Sequence, residues 1–234
     1  MKKLLFIINP MAGRQQAQTD LYKMVKIFAD HDYEVTVYPT RARLDCTRKV
    51  LEDAGRFDLV VCCGGDGTLN EMVSGMMQRQ DRRPMGYIPL GSTNDLAVSL
   101  RLPTRVEEAA LRAVTGNEFH MDVGTLNDRY FNYIASFGAF TETSYATPQE
   151  IKNALGHLAY ILEGVKSLGK ILPIHVKITA DDEQFEEDYL FGAVTNTISL
   201  GGVLKLDPEK VLLDDGMYEL LLVKNPTNAL EAQA

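Results

Sequence analysis

Two short apolar runs, each followed by a glycine-rich polar segment, constrain the fold of this 234-residue chain most strongly. Residues 3–8 run into the sequence NPMAG at 9–13, and residues 57–63 run into GGDGTLNE at 64–71. A continuous apolar run of this length is typical of a strand that is buried on both faces, as in parallel sheets covered by helices. The chain therefore predicts an α/β core.

The segments around these strands alternate between helical and strand patterns. Helical spacing of apolar residues is seen in residues 15–30, 44–54, 68–79, 94–100 and 105–115, and further strands are predicted at 33–38 and 85–89. Strands separated by helices form parallel sheets with right-handed crossovers. We therefore predict a doubly wound parallel α/β domain over residues 1–120.

The pattern changes after Gly116, where strand signals dominate. Strands are predicted at residues 119–126, 130–136, 174–179, 189–196 and 217–223, with one inserted helix at 156–168 that carries an apolar stripe. This is typical of a mainly antiparallel β domain. We assign it to residues 121–234.

Composition and charge exclude several classes of protein. The hydrophobic fraction of 45% supports a packed core, and the net charge of −8 argues against a nucleic-acid partner. The charge is uneven, because residues 181–188 hold six acidic side chains, a pattern typical of a solvated loop or hairpin. The three cysteines are expected to be reduced and buried. No apolar run approaches the ~18 residues of a membrane span, so we expect a cytoplasmic protein.

Three polar segments follow predicted strands and should therefore share one edge of the sheet, where open α/β sheets bind ligands. They are residues 9–13, 64–71 and 89–95. In the second, glycines and a helix start can bind phosphate, and the Asp66 carboxylate can orient a nucleotide hydroxyl or Mg²⁺. A tight turn followed by a capped helix is the alternative. The spacings of a Walker loop and of a dinucleotide fingerprint are both absent.

The three segments resemble motifs of the diacylglycerol kinase catalytic-domain family, of the soluble bacterial type, within the superfamily that includes NAD kinases. GGDGTLNE at 64–71 is similar to the superfamily motif, and NPMAG at 9–13 and IPLGSTNDLA at 88–97 are similar to the lipid-kinase branch. Residues 195–223 resemble the β-domain signature of that branch. The resemblance implies ATP-dependent phosphorylation of a lipid hydroxyl, with diacylglycerol giving phosphatidic acid. It makes residues 1–120 the nucleotide-binding domain and residues 121–234 the domain for the lipid substrate, which we expect to be incomplete at its C-terminus.

The resemblance also implies the site residues, position by position. Asp66 is the implied catalytic residue, and Mg²⁺ is implied on the Asp215 carboxylate and the Leu212 and Met217 carbonyls. The implied ATP contacts are Asn9, Pro10, Met11, Ala12, Gly13, Arg14, Thr40, Gly65, Asp66, Gly67, Thr68, Leu69, Asn70, Glu71, Ser92, Asn94 and Asp95. From the residues alone, Asp214-Asp215-Gly216 is a hairpin turn.

The chain departs from the family pattern in three places. Arg14 and Glu163 stand where the family often has lysine, and a D-G-E motif that supplies the catalytic base is absent before Ala234. We therefore expect a fragment, or a protein that does not complete the chemistry alone. A catalytically silent nucleotide- or lipid-binding regulator and a NAD kinase remain the alternatives, although NPMAG and GSTND argue against the second.

The lipid substrate implies peripheral contact with the inner face of the membrane. Two candidate contact surfaces are the arginine-rich residues 79–83 and the helix at 156–168. The sequence leaves a homodimer open.

Overall fold

The computed structural model describes residues 1–138, 172–201 and 204–224. It divides into two compact units, of which the first comprises Met1–Tyr133 with Leu213–Asp215. The second comprises Ile134–Leu212 and Gly216–Ala234. The helix predicted at 156–168, which contains Glu163, lies outside the described residues. In the described ranges no helix is long and apolar enough to cross a membrane.

The first unit is built on four parallel strands, as the alternating pattern predicts. The strands are β1 (Lys2–Ile8), β2 (Tyr33–Pro39), β3 (Leu59–Gly64) and β4 (Met85–Pro89). The helices are α1 (Gln16–Thr19), α2 (Leu21–Asp30), α3 (Asp45–Asp53), α4 (Asp66–Met77), α5 (Asp95–Ser99) and α6 (Val106–Thr115). A short antiparallel hairpin of β5 (Gly124–Leu126) and β6 (Arg129–Phe131) follows.

The strand order in this sheet is β2-β1-β3-β4, and all neighbouring pairs are parallel. The chain winds from β1 to β2 on one side and then continues with β3 on the other side of β1. The winding direction therefore changes between β1 and β3. In open parallel sheets this switch point opens a crevice at the carboxyl ends of the strands.

Two layers of helices cover the sheet, because successive strand residues point to opposite faces. One face of β1, which includes Leu4 and Phe6, packs against α2 and α6, and the Phe6 ring meets the Phe28 ring edge-on at 5.2 Å. The other face, which includes Leu5 and Ile7, packs against α3, α4 and α5. The predicted doubly wound α/β arrangement is confirmed.

Three predicted elements are shorter or more broken than expected. The helix predicted over residues 15–30 is interrupted at Asp20 (φ −96°, ψ 2°), whose carboxylate accepts hydrogen bonds from Gln16 and Lys23. The strand predicted over 119–126 is reduced to β5, since its pairing with β6 extends over only three residue pairs. The strand predicted over 130–136 is divided between β6 and β7 (Ile134–Gly138).

The second unit is mainly antiparallel, as predicted. Its strands are β7, β8 (Ile174–Ala180), β9 (Glu183–Thr195), β10 (Ser199–Leu200), β11 (Leu204–Lys205) and β12 (Glu219–Lys224). Strand β9 pairs with β7, β8 and β12, all antiparallel. The acidic run at 181–188 forms the β8–β9 hairpin, in which Lys177 lies opposite Glu186. This confirms the prediction of a solvated hairpin.

The cysteines behave as the sequence predicts. Cys46, Cys62 and Cys63 are buried and free of disulfides. Burial is the main cause that raises the pKa of all three thiols. A raised pKa keeps a thiol protonated and unreactive, so these side chains serve as small apolar groups of the core.

Candidate nucleotide-binding site

Backbone hydrogen bonds past the strand ends hold the polar segments at one edge of the parallel sheet. The Asn9 N–H donates to the Cys63 carbonyl at 2.9 Å, across the switch point between β1 and β3. The Leu90 N–H donates to the Gly64 carbonyl at 2.7 Å, between β3 and β4. These bonds bring together the starts of all three segments that the sequence assigns to one edge.

Thr40 extends the same edge on the other side of β1. Its N–H donates to the Ile8 carbonyl at 2.9 Å, and its hydroxyl lies 3.4 Å from the same oxygen. The predicted ATP contacts at Thr40 and at the first loop therefore lie at adjacent strand ends.

Helix α4 starts directly after β3, so its first turn lies at this edge. Gly65 is the N-cap residue, with extended backbone (φ −93°, ψ −174°), and it has no side chain to cap the helix start. At Gly67, a Cβ atom would meet no atom within 4 Å in the described part of the chain, apart from its own helix backbone and chain neighbours. The first N–H groups of a helix have no acceptor within the helix and carry the positive end of its dipole. The first turn of α4 is therefore suited to bind phosphate oxygens.

The Asn9 side chain connects the first loop to α4. Its Oδ1 accepts the Met11 N–H at 3.0 Å, and its Nδ2 donates to the Thr68 hydroxyl at 3.4 Å. Gly13 closes the loop in the left-handed conformation (φ +58°), which favours glycine. The amide of Asn9 thus shapes the loop and also reaches the first turn of α4.

Other positions of the first loop divide between surface and core. The Pro10 carbonyl accepts a hydrogen bond from the Gln18 side chain at 2.9 Å. Met11 is 68% exposed, whereas Ala12 is buried in the core against α2 and α6. The side chain of Arg14 lies outside the described part of the structure. ATP contacts at these positions remain predictions.

Asp66 has a raised pKa. Burial is the largest cause, and the charge of Asp95 is the second. The Thr93 hydroxyl donates to Oδ2 at 3.1 Å, and backbone N–H groups of Asn94 and Leu96 also stabilise the charged form. Oδ1 is buried and makes no direct hydrogen bond within the described ranges. A carboxylate in these surroundings is suited to bind a cation or to hold a proton.

Asn94 shapes the loop after β4. It adopts the left-handed conformation (φ +51°), and its Oδ1 accepts hydrogen bonds from the Gly91 N–H at 2.7 Å and the Tyr87 hydroxyl at 3.1 Å. Its Nδ2 donates to the Gly91 carbonyl at 3.0 Å. Ser92 is exposed between these residues. ATP contacts of Ser92, Asn94 and Asp95 remain predictions.

The last residues of the glycine-rich segment contact other parts of the first unit. Leu69 is buried between α4 and the sheet. The Asn70 side chain donates to the Tyr130 carbonyl at 3.4 Å, and the Glu71 carboxylate accepts the Leu44 N–H at 2.8 Å. Direct contact of these three residues with ATP is untested.

Comparison with known proteins identifies the family. Residues 3–126 match the model of the diacylglycerol kinase catalytic domain. A protein of Bacillus subtilis (strain 168) named diacylglycerol kinase is 37% identical over 226 residues, which cover 96% of this chain and 74% of that protein. The chain belongs to the diacylglycerol kinase catalytic-domain family. A diacylglycerol kinase of Staphylococcus saprophyticus is 32% identical over 95% of this chain and 73% of its own length.

Solved structures of diacylglycerol kinase relatives share the fold. A crystal structure of a diacylglycerol kinase from Bacillus anthracis str. Sterne matches with a TM-score of 0.76 and 29% identity, over 95% of this chain and 74% of that one. A second solved structure from the same organism matches with a TM-score of 0.81 and 30% identity, over 99% of this chain and 75% of the other. The similarity extends over both units.

The Mg²⁺ ligands that the family resemblance implies lie in a turn. Leu212 and Met217 are 55% and 64% exposed, and Gly216 takes a positive φ of 78°. Within the first unit, the Asp122 N–H donates to the Leu213 carbonyl at 2.8 Å. One carboxylate and two carbonyls form the all-oxygen donor set that Mg²⁺ prefers, so the residue types fit the ion. The ligand assignment stays a prediction.

Sequence reasoning missed two residues of the candidate site. Thr93 donates its hydroxyl to Asp66, and Tyr87 donates its hydroxyl to Asn94. A hydroxyl residue directly before the helix at 94–100 is a signal that could have found Thr93, because such residues bind at helix starts. The sequence holds no comparable signal for Tyr87, which belongs to a buried strand.

Proposed function

We propose that this chain is an ATP-dependent lipid kinase that phosphorylates diacylglycerol, or a related lipid hydroxyl, to phosphatidic acid. The relatives named diacylglycerol kinase support the substrate class. The observation that carries the proposal is the position of Asp66 in the first turn of α4, at the edge where the three polar loops begin.

This arrangement places groups that bind an anion next to a group that binds a cation. The first turn of α4 offers N–H donors for phosphate, and the buried Oδ1 of Asp66, close to the charge of Asp95, favours a cation. A nucleotide phosphate that carries Mg²⁺ satisfies both requirements. Asn9 and Thr68, which hydrogen-bond to each other, add polar groups on the β1 side.

The proposed reaction transfers the γ-phosphoryl group of ATP to the lipid hydroxyl. A general base, which the family resemblance implies in the D-G-E motif, takes the proton of the lipid hydroxyl as its oxygen attacks the γ-phosphorus in line. The bond from the γ-phosphorus to the bridging oxygen breaks, and ADP leaves. Mg²⁺, when bound, would neutralise charge on the phosphates. The first turn of α4 positions the phosphates, and the Asp66 carboxyl lies at the same helix start, where burial and the charge of Asp95 favour a bound proton or cation on it.

One of the two candidate membrane surfaces is only partly free in the structure. Arg79 donates through Nη1 to the Leu51 carbonyl, and Arg83 donates through Nη2 to the Gly55 carbonyl at 3.0 Å. Both guanidinium groups are therefore engaged at the C-terminal end of α3, which leaves Arg82 as the exposed arginine of residues 79–83. We propose that membrane contact is peripheral and that surfaces other than residues 79–83 contribute to it in addition to Arg82.

Transfer of radiolabelled phosphate from ATP to diacylglycerol in mixed micelles tests the proposed function. Since the D-G-E motif that is implied to supply the base is absent before Ala234, the assay uses this chain alone and fused to the remaining C-terminal segment of the Bacillus subtilis relative. We expect labelled phosphatidic acid from the fusion, and a loss of at least about 10²-fold in its kcat for Asp66→Asn. ATP binding without transfer to any lipid would favour a silent regulator. Labelling of NAD in place of the lipid would favour a NAD kinase.

A further inference from the structure

Glu71 lies away from the first turn of α4 and binds the start of the neighbouring helix. Its Oε1 accepts the Leu44 N–H at 2.8 Å, and its Oε2 lies 3.3 Å from the Cys46 nitrogen, which donates to it. The Glu71 carbonyl accepts the Thr47 hydroxyl at 2.8 Å. Helix α3 has no side-chain cap from its own N-cap residue, Leu44. The Glu71 carboxylate therefore caps α3 from another helix.

Leu44 needs this support because of its backbone conformation. Its φ of +65° lies in the left-handed region, which is unfavourable for a residue with a Cβ atom. The Leu44 side chain is 60% exposed, so burial contributes little to holding the residue in place. The Glu71 carboxylate on the Leu44 N–H adds to the hydrogen bonds within the loop. In these bonds, the Arg41 N–H donates to the Asp45 carboxylate at 2.9 Å, and the Asp45 N–H donates to the Ala42 carbonyl at 3.3 Å.

Helix α4 holds α3 along its whole length. Gly75 lies one turn after Glu71, and a Cβ there would be 2.8 Å from the Thr47 carbonyl, so the helices approach closely. Arg79 follows after another four residues and donates to the Val50 carbonyl at 3.4 Å and to the Leu51 carbonyl. The negative charge of Glu71 lies at the N-terminal end of α3 and the positive charge of Arg79 at its C-terminal end, so both charges complement the helix dipole.

Only the N-terminal end of α3 is connected by a short loop to the nucleotide edge. Only residues 40–44 connect the end of β2 to α3, and Thr40 at the start of this loop is bound to Ile8 at the nucleotide edge. The Glu71 carboxylate fixes the other end of the same loop. The Arg79 contacts lie at the opposite end of α3.

We propose that Glu71 is a positioning residue, which acts on nucleotide binding by holding the 40–44 loop so that Thr40 stays at the ATP site. This inference rests on the proposed binding of ATP at this edge. Two N–H groups need two acceptor oxygens, which a carboxylate supplies. A glutamine side chain supplies one oxygen and places an amide donor against the second N–H. The charged acid is therefore required for both of these hydrogen bonds.

Calorimetric titration of the full chain with Mg²⁺–ATP tests this role. We compare the unmodified protein with Glu71→Ala, Glu71→Gln and, as the matched control, Arg79→Ala, which removes contacts at the distant end of the same helix. We expect the Kd for ATP to rise about tenfold in Glu71→Ala and about threefold in Glu71→Gln, from the loss of charge-assisted hydrogen bonds. Arg79→Ala should change Kd by less than about twofold, since its contacts lie away from the 40–44 loop.

Hydrogen exchange of the Leu44 and Cys46 amides, measured without ATP, gives a second readout. Faster exchange in both Glu71 variants, but not in Arg79→Ala, is expected. An unchanged Kd in Glu71→Ala, or an equal rise in Arg79→Ala, would overturn the positioning role, since the second result indicates a general effect of α3 stability. If Glu71→Ala does not fold, the Glu71→Gln variant decides by the same two measurements. Failure of the unmodified chain to bind ATP would instead overturn the proposed function and this inference together.

Discussion

Gly65 and Gly91 bring the loop after β3 and the loop after β4 into direct backbone contact. A Cβ atom at Gly91 would lie 2.6 Å from the Cα of Gly65, and one at Gly65 would lie 3.1 Å from the Cα of Gly91. Neither contact can be relieved by a side-chain rotation, because both partners are backbone atoms. The two glycines therefore set the distance between the start of α4 and the loop that carries Thr93 and Asn94.

Substitution of Gly91 by alanine should force these loops apart. The new methyl group would also lie 2.6 Å from Oδ1 of Asn94, which holds the loop together. We expect Gly91→Ala to lower the free energy of unfolding by about 1–3 kcal/mol, as overpacking generally does. Urea unfolding measures this change. A variant as stable as the unmodified protein would show that the two loops separate freely.

Gly67 provides the contrasting case in the first turn of α4. No atom lies within 4 Å of a Cβ at this position, so Gly67→Ala should fold normally and gain about 0.5–1 kcal/mol of stability from the lower backbone entropy. The same methyl group stands where we propose that phosphate binds. Calorimetry should therefore show weaker ATP binding in a protein that is at least as stable. Unchanged affinity would place the phosphates elsewhere.

The sequence predicts the sheet well because the buried strands carry their own signal. Strand β4 has the predicted bounds, and the starts of the three polar loops follow from parallel strand order alone. Residues 64–71 illustrate the limit of this reasoning. Asp66 accepts a hydrogen bond from Thr93, and Glu71 accepts one from Leu44. Both contacts join this motif to other segments, so they depend on how those segments pack against α4. Local sequence patterns hold no information on such pairings.

Arg79 shows the same limit at the surface. A run of charged residues after a helix is typical of a solvated loop, yet the Arg79 guanidinium reaches the carbonyls of Val50 and Leu51. The close packing of α4 on α3 at Gly75 makes this reach possible. An arginine that caps a neighbouring helix cannot be distinguished by sequence from one that faces lipid.

Asp45 should make stability depend on pH at the acidic end. The Arg48 guanidinium is the largest cause that lowers the Asp45 pKa below 3.8, and the Arg41 N–H at 2.9 Å and the Tyr38 hydroxyl at 3.0 Å also contribute. The stabilisation is therefore complete above pH 3.8 and is lost as pH falls through the folded-state pKa. We expect Asp45→Asn to cost about 1–3 kcal/mol at pH 7.

This cost of Asp45→Asn should shrink as pH falls below 3.8, because the unfolded chain binds a proton at Asp45 before the folded protein does. Unfolding curves from pH 2 to pH 7 measure the difference. Asp30→Asn is the control, since Asp30 forms an exposed ion pair with Lys26 and should have little effect. A cost for Asp45→Asn that does not vary with pH would rule out the carboxylate charge as its source.

Asp215 and Asp214 form a matched pair for the proposed Mg²⁺ site. Both are exposed in the same turn, but only Asp215 is assigned to the ion. Binding to the folded state alone raises the melting temperature by mass action. Added Mg²⁺ should therefore raise the Tm of the unmodified protein and of Asp214→Asn, but not that of Asp215→Asn. Equal responses of the two variants would show that the ion does not use the Asp215 carboxylate.

Asp66 should show the opposite pH dependence to Asp45. Burial and the charge of Asp95 raise its pKa above 3.8, so the folded state binds more protons than the unfolded state between 3.8 and the folded-state pKa. The free energy of unfolding therefore falls as pH rises through this window, and it stays lowered at neutral pH. Asp66→Asn lacks this destabilising charge.

We expect Asp66→Asn to gain stability relative to the unmodified protein as pH rises through this window, and to keep the gain at pH 7. The same variant should lose about 10²-fold or more in phosphoryl transfer, because the acid that is costly to bury is the one that acts at the phosphate. Urea unfolding at several pH values, together with the radiolabel assay, measures both effects on one protein. Gln16→Ala serves as a control, since it removes a hydrogen bond to the Asp20 carboxylate and leaves Asp66 unchanged. A stability difference that falls with rising pH would show that the folded protein stabilises the Asp66 charge, which would remove the physical basis for its assigned role.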